Sequence, residues 1–188
     1  MMAFTLEAVM TSTHITDRSV QLAAEVYTRS GLALTVRPAD ASDKLLLEDF
    51  FKHVSADDLR FRFLTTIRRV DDARIDDLCV VDIPRKITFL ALRGNLVVAI
   101  GTVAGDPDTR KAEVALTTRP EWKHQGVSWT LLEHLIQFAQ GHGYREIVSI
   151  EAPDNAGALG LERDMGFRLS LLGADSSEFI ASKTIDPD

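Results

Sequence analysis

The stretch EVALTTRPEWKHQGVSWTLLEHLIQFAQGHG, residues 113–143, decides how this chain is expected to fold. It begins with alternating apolar and polar residues, as a half-buried strand does, and the alternation stops at Pro120. From Val127 onward, apolar residues recur at helical spacing until a glycine-containing end. Between the two lies a basic turn with one glycine, Gly126. We therefore predict a strand that leads through this turn into an amphipathic helix, and we call residues 123–129 the elbow.

The composition is that of one globular protein. The chain has 188 residues, of which 45% are hydrophobic and 26% charged, enough to bury a sizeable core. Its formal charge of −7 argues against a protein that binds nucleic acid through the phosphate backbone. The single cysteine, Cys79, excludes an internal disulfide and a cysteine-based zinc site, as is usual in a reducing compartment.

Membrane and export signals are not found in the sequence. The first residues lack the basic start of a signal peptide, and Arg93 interrupts the longest apolar tract. The histidines His134 and His142 have no third partner at metal-ligand spacing. We therefore expect a soluble, cytoplasmic protein with no membrane, nucleic acid or metal partner, and leave a homodimer open.

Several helices and strands are predicted around this central stretch. Residues 32–40 alternate as a first strand, and capping patterns at Asp40 and Ser55 start two helices, with a third helix over residues 70–81. Residues 86–120 form three more strands separated by the turns RGN and GDPDTR. After the central helix come a fifth strand, REIVSIEA, a helix capped by Asp154, and one or two final strands. Residues 1–31 are predicted to be an extension with a helix that begins at Thr16 or Asp17 and ends near Gly31.

The elbow has the features of an anion site. The first N–H groups of a helix lack intrahelical partners and carry partial positive charge, so they bind phosphate where a glycine lets it approach. Gly126 offers that approach, and Arg119, Lys123 and His124 give a basic patch on an acidic protein. The alternative is that Gly126 only permits the turn and the charges are solvated; the spacing alone does not decide.

The order of elements resembles that of the GNAT-type N-acyltransferases. In that family, a Gln/Arg-x-x-Gly-x-Gly/Ala motif between the fourth strand and the next helix holds the diphosphate of acetyl-coenzyme A. Here the matching segment is KHQGVS, in which Lys123 replaces Gln/Arg and Ser128 stands at the Gly/Ala position. The segment RPEWKHQGVSWTLLEHLIQFAQGHGYREI and the helix DNAGALGLERDMGF with Asn155 follow the family closely. The likeness covers residues 32–180.

The resemblance implies a fold, a cosubstrate and a set of residues. The fold would be α/β (α+β), a mixed, mostly antiparallel sheet flanked by helices and splayed between strands 4 and 5. Acetyl-CoA would lie in the splay. Its contacts would come from one strand, the elbow and the last helix: Leu116, Thr117, Thr118, Lys123, His124, Gln125, Gly126, Val127, Ser128, Trp129 and Asn155.

Two residues of this set depart from the family pattern, and a third residue outside the set is the expected base. Ser128 and Trp129 add bulk where the family has small side chains, which would narrow the diphosphate site. The segment LERDMGF lacks the tyrosine that many members use to protonate the departing thiolate. Glu113, in the strand AEVA, is the expected general base for the acceptor amine; burial would raise its pKa toward neutrality, as a general base requires, but the alternation does not decide which face it occupies. The alternative for Glu113 is an exposed strand carboxylate.

Paired aspartates precede and follow the predicted helices of the first half. They are Asp57/Asp58, Asp71/Asp72 and Asp76/Asp77, and they act either as caps and solvated faces or as attraction for a cationic acceptor. The expected function is N-acetyl transfer from acetyl-CoA to a primary amine, either a small molecule or a protein lysine. The alternative is a non-catalytic acyl-CoA-binding regulatory module. A dinucleotide-binding enzyme is less consistent with the sequence, which has no early Gly-x-Gly-x-x-Gly motif.

Overall fold

A computed structural model describes residues 22–173 and 176–185, and its centre is one mixed sheet. Eight strands pair in the order β1-β2-β3-β4-β5-β6-β8-β7. Every neighbouring pair is antiparallel except β5 and β6, which are parallel. The strands are β1 Ala24–Tyr27, β2 Ala33–Pro38, β3 Lys86–Arg93, β4 Leu96–Asp106, β5 Lys111–Thr118, β6 Glu146–Glu151, β7 Arg168–Leu171 and β8 Phe179–Thr184. The predicted α+β fold with a mostly antiparallel sheet is confirmed.

Five α-helices flank the sheet in the described residues. They are α1 Lys44–Lys52, α2 Ala56–Phe63, α3 Asp72–Leu78, α4 Val127–Gly141 and α5 Ala156–Asp164. Short 3-10 helices, Ala41–Asp43 and Pro120–Trp122, precede α1 and the elbow. No described helix is long and apolar enough to cross a bilayer.

Local capping explains where these helices begin. Asp40 forms the predicted capping box with Asp43, and Ser55 accepts from the N–H of Asp58. The cap predicted for α5 is off by one residue: Asn155 caps it, accepting from the N–H of Ala158. Asp154 instead pairs with Arg60 on α2, 2.6 Å away.

The prediction of a helix that ends near Gly31 is wrong for its second half, which contains a strand. Residues 24–27 form β1, which pairs antiparallel with β2 from Ala24↔Val36 to Tyr27↔Ala33. The sequence AEVY fits a strand because its side chains alternate between half-buried and exposed. The predicted start of the helix, at Thr16 or Asp17, lies outside the described residues. The division of the chain at residue 31 stays a prediction.

The two faces of the sheet carry separate apolar clusters. One face of β3 and β4 packs on α1–α3 through residues such as Leu47, Phe50 and Ile100. The other cluster joins Phe89 and Val114 to α4 and to residues of α5, β6 and β8. The central strands are therefore covered on both sides, and this holds β5 and the start of α4 in fixed relation.

β5 and β6 pair over a short distance. The parallel register runs from Lys111↔Glu146 to Glu113↔Val148, whereas β5 continues along β4 to Thr118. These are the fourth and fifth predicted strands. In the described part of the chain, the second half of β5 is therefore hydrogen-bonded to β4 on one side and to no strand on the other.

Candidate functional site

The elbow brings β5 into α4 through left-handed backbone. Gly126, immediately before α4, has φ 83° and His124 has φ 61°. Glycine adopts this region at little cost, whereas a side chain at position 126 is strained and its Cβ would lie 3.2 Å from the Cβ of Thr28. Within residues 22–173 and 176–185, no side chain caps the N-terminus of α4. The first N–H groups of α4 are therefore available to an anion.

A groove of about 350 Å³ leads from this helix end along β5 and α5. Nine of the residues predicted to contact acetyl-CoA line it: Leu116, Thr117, Thr118, Lys123, His124, Gly126, Ser128, Trp129 and Asn155. Its other lining residues come from α2 and α5 and were not predicted as contacts of acetyl-CoA: Asp58, Phe61, Gly157, Ala158 and Leu161. The residues predicted from the sequence thus account for the walls on β5 and the elbow, and on α2 only Asp58 had been considered, as an attraction for a cationic acceptor.

Two predicted contact residues lie outside this lining. The Val127 side chain is buried in the core, 1% exposed, so at most its backbone N–H faces the helix end. Gln125 is exposed; its Nε2 donates to the Glu121 carbonyl, and its own carbonyl accepts from Ser30 Oγ at 2.9 Å.

The residues that follow β1 form a wall behind the elbow. Thr28 is buried against Gly126, and Ser30 bonds the carbonyl of Gln125. The guanidinium carbon of Arg29 lies 3.7 Å from the centroid of the Trp129 ring. These three residues were not predicted in the site, because their segment has the pattern expected of a helix in the N-terminal extension.

Trp129 contacts both the core and the groove. It is half-buried, packs on the apolar cluster around α4, and lines the groove on its other side. The stacked Arg29 guanidinium covers part of its face, a cation–π arrangement that also fixes the orientation of the ring. The large side chain of Trp129 is thus accommodated partly by packing on the apolar cluster, so it does not lie wholly in the groove.

The basic patch expected beside Gly126 is smaller than predicted. Arg119 is buried, with its Nε bonded to the Val97 carbonyl and its Nη2 2.6 Å from Asp49 Oδ2. It ties the end of β5 to α1 and does not reach the elbow. Lys123 remains at the elbow, but its Nζ lies 2.6 Å from Oδ1 of Asp58.

The other paired aspartates act in helix ends and ion pairs. Asp71 caps α3 by accepting from the N–H of Arg74, while Asp76 pairs with Lys44 and Asp77 with Lys86. Asp58 alone among the six lines the groove in the described residues. Most of these aspartates therefore act as helix caps or in ion pairs, and do not line the groove.

Polar groups of β5 face the groove. Thr118 Oγ1 lies 2.9 Å from Ser128 Oγ, which links the strand to the first turn of α4. Thr117 Oγ1 is buried and, among the described residues, has no hydrogen-bond partner. A buried hydroxyl without a partner is uncommon, because desolvation costs free energy that only a hydrogen bond offsets. Thr117 is thus a polar group suited to a ligand in the groove.

A smaller cavity of about 70 Å³ continues from the groove and shares Phe61, Leu116, Asn155, Ala158 and Leu161 with it. Glu113 lines this cavity. The Glu113 side chain is exposed, so the burial expected for a base is not found. A cation, Arg62 of α2, lines the same cavity.

One of the two terminal nitrogens of Arg62 is hydrogen-bonded, and the other has no partner in the described residues. Its Nη2 donates to Thr102 Oγ1 at 2.6 Å, while Nη1 is buried and lacks a partner in the described residues. Burial lowers the pKa of the Arg62 guanidinium to about 10, and the charge of Glu113 acts in the opposite direction. The cavity thus contains the Glu113 carboxylate and the Arg62 guanidinium, and one nitrogen of that guanidinium has no hydrogen-bond acceptor among the described residues.

Two further carboxyl groups meet at the same cavity, Glu151 at the end of β6 and Glu162 in α5. Glu162 is 4% exposed and accepts a short hydrogen bond from Ser149 Oγ. Asn155 Nδ2 donates to Glu151 Oε2 at 2.7 Å. Burial and then the charge of Glu162 raise the pKa of Glu151 to about 8, and burial also raises the pKa of Glu162.

The burial of Glu151 and Glu162 could have been predicted from the spacing of apolar residues in the sequence. Leu159, Glu162 and Met165 recur at helical spacing and are all buried, so an acid stands on the apolar face of α5. Likewise Ile147, Ser149 and Glu151 share one face of β6. No cluster of three metal-ligating side chains occurs in residues 22–173 and 176–185.

Comparisons with known proteins agree with this geometry. The family model described as Acetyltransferase (GNAT) family matches residues 49–167. Acetyltransferase PA5475 of Pseudomonas aeruginosa is 28% identical over 141 residues, 73% of this chain and 76% of that protein. The fold is similar to that of the GNAT domain of S. lividans PAT, with TM-score 0.82, 21% identity, and coverage of 88% of this chain and 98% of that one.

A second solved structure is similar in fold and was determined with coenzyme A. It is RimL, a ribosomal L7/L12 alpha-N-protein acetyltransferase, with TM-score 0.71, 16% identity, and coverage of 87% of this chain and 100% of that one. The family match spans more than half of the 188 residues and contains both β5 and the elbow. This chain belongs to the GNAT family of acetyltransferases.

Proposed function

We propose that this protein is an acetyl-CoA-dependent N-acetyltransferase that moves the acetyl group to a primary amine, either of a small molecule or of a protein lysine. One observation carries the proposal. A single groove joins the uncapped N-terminus of α4 to the half of β5 that extends beyond its short pairing with β6. An extended ligand with an anionic end and a polar arm matches such a groove. The family to which the chain belongs supports acetyl transfer.

The anionic end of acetyl-CoA would lie at the elbow. N–H groups of α4 and the Gly126 backbone would bind the diphosphate, with Ser128 Oγ as a further donor. Lys123 adds positive charge that Asp58 partly offsets. Trp129 and Arg29 form the adjoining wall, where a planar ring or a further phosphate would find an aromatic face and a guanidinium.

The polar arm would run along β5. Leu116, Thr117 and Thr118 line that part of the groove, and the unpartnered Thr117 hydroxyl offers a hydrogen bond there. An N–H of this strand near the thioester oxygen would stabilise the negative charge that develops on it during attack by the amine.

Glu113 is the proposed general base. An alkylammonium acceptor must lose a proton before it attacks, since its ordinary pKa is about 10.4. Glu113 lies where the small cavity meets the end of the β5–β6 pairing, and its exposure leaves it open to solvent or to an incoming amine. Glu113 gives the cavity a carboxylate that would attract a cationic acceptor.

The regulatory alternative would bind acyl-CoA in the same groove without transferring the acyl group, and one contact bears on the affinity in both cases. The Lys123–Asp58 ion pair places a carboxylate at the proposed diphosphate site, which would weaken binding of acetyl-CoA. The two functions separate in one experiment: incubation with acetyl-CoA and a panel of primary amines and lysine-containing proteins, with released CoA thiol and acetylated product both quantified. An enzyme gives one product per thiol released; a regulatory module is stabilised by acetyl-CoA and gives none.

A further inference from the structure

The small cavity contains a buried acid pair that the proposed base does not use. The residues that line it include no tyrosine, cysteine or histidine, so its ionisable groups are Arg62, Glu113, Glu151 and Glu162. Arg62 does not give up its proton near neutral pH, because burial lowers its pKa only to about 10. Glu113 is exposed. Glu151 and Glu162 are thus the groups there that hold a proton away from solvent.

The contacts of the two carboxyls indicate one shared proton. Ser149 donates to Glu162 Oε1, and Asn155 donates to Glu151 Oε2. Glu162 Oε2 is buried and accepts from no donor in the described residues. Glu151 and Glu162 line the same small cavity, and the charge of Glu162 acts on Glu151. Two carboxylates confined in this way repel each other when both are ionised, and one proton held by the pair relieves that repulsion.

The neighbouring charges do not remove this proton. Arg62 of α2 and Glu113 of β5 face the same cavity, while Lys183 of β8 donates to the Met165 carbonyl. Burial and the mutual repulsion of the two carboxylates dominate over the hydrogen bond from Asn155. The pair therefore keeps its proton at neutral pH.

We propose that the Glu151–Glu162 pair donates its proton to the sulfur of the departing coenzyme A. Glu151 is half-buried in the small cavity and accepts from Asn155, which lines both the cavity and the groove. Glu151 is the catalytic acid, and the buried Glu162 is a positioning residue. The proposal rests on the proposed function, because it needs a thioester in the groove.

The proposed step balances in atoms and electrons. The amine nitrogen forms a bond to the carbonyl carbon, the C–S bond breaks, and its electron pair goes to sulfur. The shared proton moves from Glu151 to sulfur and gives the thiol. The ammonium loses one proton to Glu113 before attack, and the nitrogen loses a second proton to solvent as the amide forms. The acid pair takes one proton back from solvent, so one proton is released in the whole reaction. Nothing is oxidised or reduced.

The test is the pH dependence of kcat between pH 6 and pH 10 with an amine that the wild type accepts. We expect wild-type kcat to fall above about pH 8, where the pair loses its proton. Glu151→Gln should lower kcat ~10²-fold and show no such fall. Glu162→Gln should move the fall to lower pH, since it removes the neighbouring carboxylate. Asp164→Asn, exposed on the same helix, should behave as wild type.

The outcomes are distinct. Glu151→Gln with wild-type kcat and an unchanged fall near pH 8 would overturn the proposal and leave the proposed function intact. A wild type that acetylates no amine would reject the proposed function, and this proposal with it. An independent readout needs no turnover: infrared spectra of the wild type should show a protonated carboxyl band at pH 7 that Glu151→Gln reduces. Its absence in the wild type would also overturn the proposal.

Discussion

Lys123 Nζ lies 2.6 Å from Asp58 Oδ1, so an acidic side chain from α2 partly offsets the charge of a lysine that lines the groove proposed to bind acetyl-CoA. The Asp58 side chain is 15% exposed and the Lys123 side chain 38%. The pair links the acceptor-side helix to the elbow and sets the charge at the expected diphosphate position.

Asp58→Asn should therefore tighten acetyl-CoA binding, because it removes a negative charge and frees Lys123. A partly exposed ion pair corresponds to about a twofold to fivefold change in Kd. Asp57→Asn is the matched control, since Asp57 also lies in the first turn of α2 but does not line the groove. Calorimetric titration at two salt concentrations measures both variants. Equal or weaker binding by Asp58→Asn would contradict the electrostatic account of the elbow.

Gly126→Asp should abolish stabilisation by acetyl-CoA, because a carboxylate and a Cβ would both stand where the diphosphate approaches. A control variant separates the backbone strain of this substitution from its effect on acetyl-CoA binding. Gly143→Ala has the same left-handed backbone, φ 82°, with nothing within 4 Å of the added Cβ. Both variants should lose about 1–2 kcal/mol of folding free energy from strain. Only Gly143→Ala should keep the acetyl-CoA shift in thermal unfolding; a shift in both variants would remove Gly126 from the site.

Trp129→Ala should weaken both folding and acetyl-CoA binding, because the ring packs on the core and lines the groove. The loss of stability should be below the ~3–5 kcal/mol typical of a fully buried ring. Arg29→Ala should weaken binding with little loss of stability, since Arg29 is exposed. Chemical denaturation with and without acetyl-CoA separates the two effects. Unchanged affinity in Trp129→Ala would mean that the ring serves packing alone.

Glu113→Gln should lower kcat by ~10²-fold and leave acetyl-CoA stabilisation intact, since it removes a proton acceptor and little contact with the groove. Glu133→Gln, an exposed carboxylate on α4 that lines neither cavity, is the control. Steady-state kinetics with an accepted amine give the comparison. Equal kcat values across pH 6–10 would exclude Glu113 as the base.

The shared proton also predicts how stability depends on pH. The pKa of Glu151 is raised from the ordinary 4.5 to about 8 in the folded protein, so the proton is bound more tightly when folded. This stabilisation is complete below about pH 4.5 and is lost as the pH rises through about 8. The Tm of the wild type should therefore fall relative to that of Glu151→Gln between pH 5 and pH 8. A Tm difference that is constant over this range would contradict the shared proton.

Much of the fold follows from local patterns in the sequence. The alternation up to Pro120, the helical spacing from Val127 and the caps at Asp40 and Ser55 all act over a few residues, and the structure confirms each of them. β1 was missed because AEVY is compatible with either a helix or a strand, and its pairing with β2 decides the outcome.

The site was predictable where it lies in one continuous segment. The β5 and elbow residues were identified from residues 113–143, and most of them line one groove. Asp58, Arg62 and Arg29 come from distant segments, and only tertiary packing brings them to the elbow and the cavity. Arg119 shows the converse, because its proximity in sequence suggested a basic patch while its burial against Asp49 takes it away.

Amide hydrogen exchange with and without acetyl-CoA tests the central claim most directly, because it needs no acceptor and reports on individual segments. The account predicts slower exchange in two places, the elbow with the first turn of α4 and the segment of β5 from Leu116 to Thr118. Protection there in the wild type, and its loss in Gly126→Asp, would agree with diphosphate at the helix end and the polar arm along β5. Stabilisation by acetyl-CoA with protection confined to other segments would contradict it.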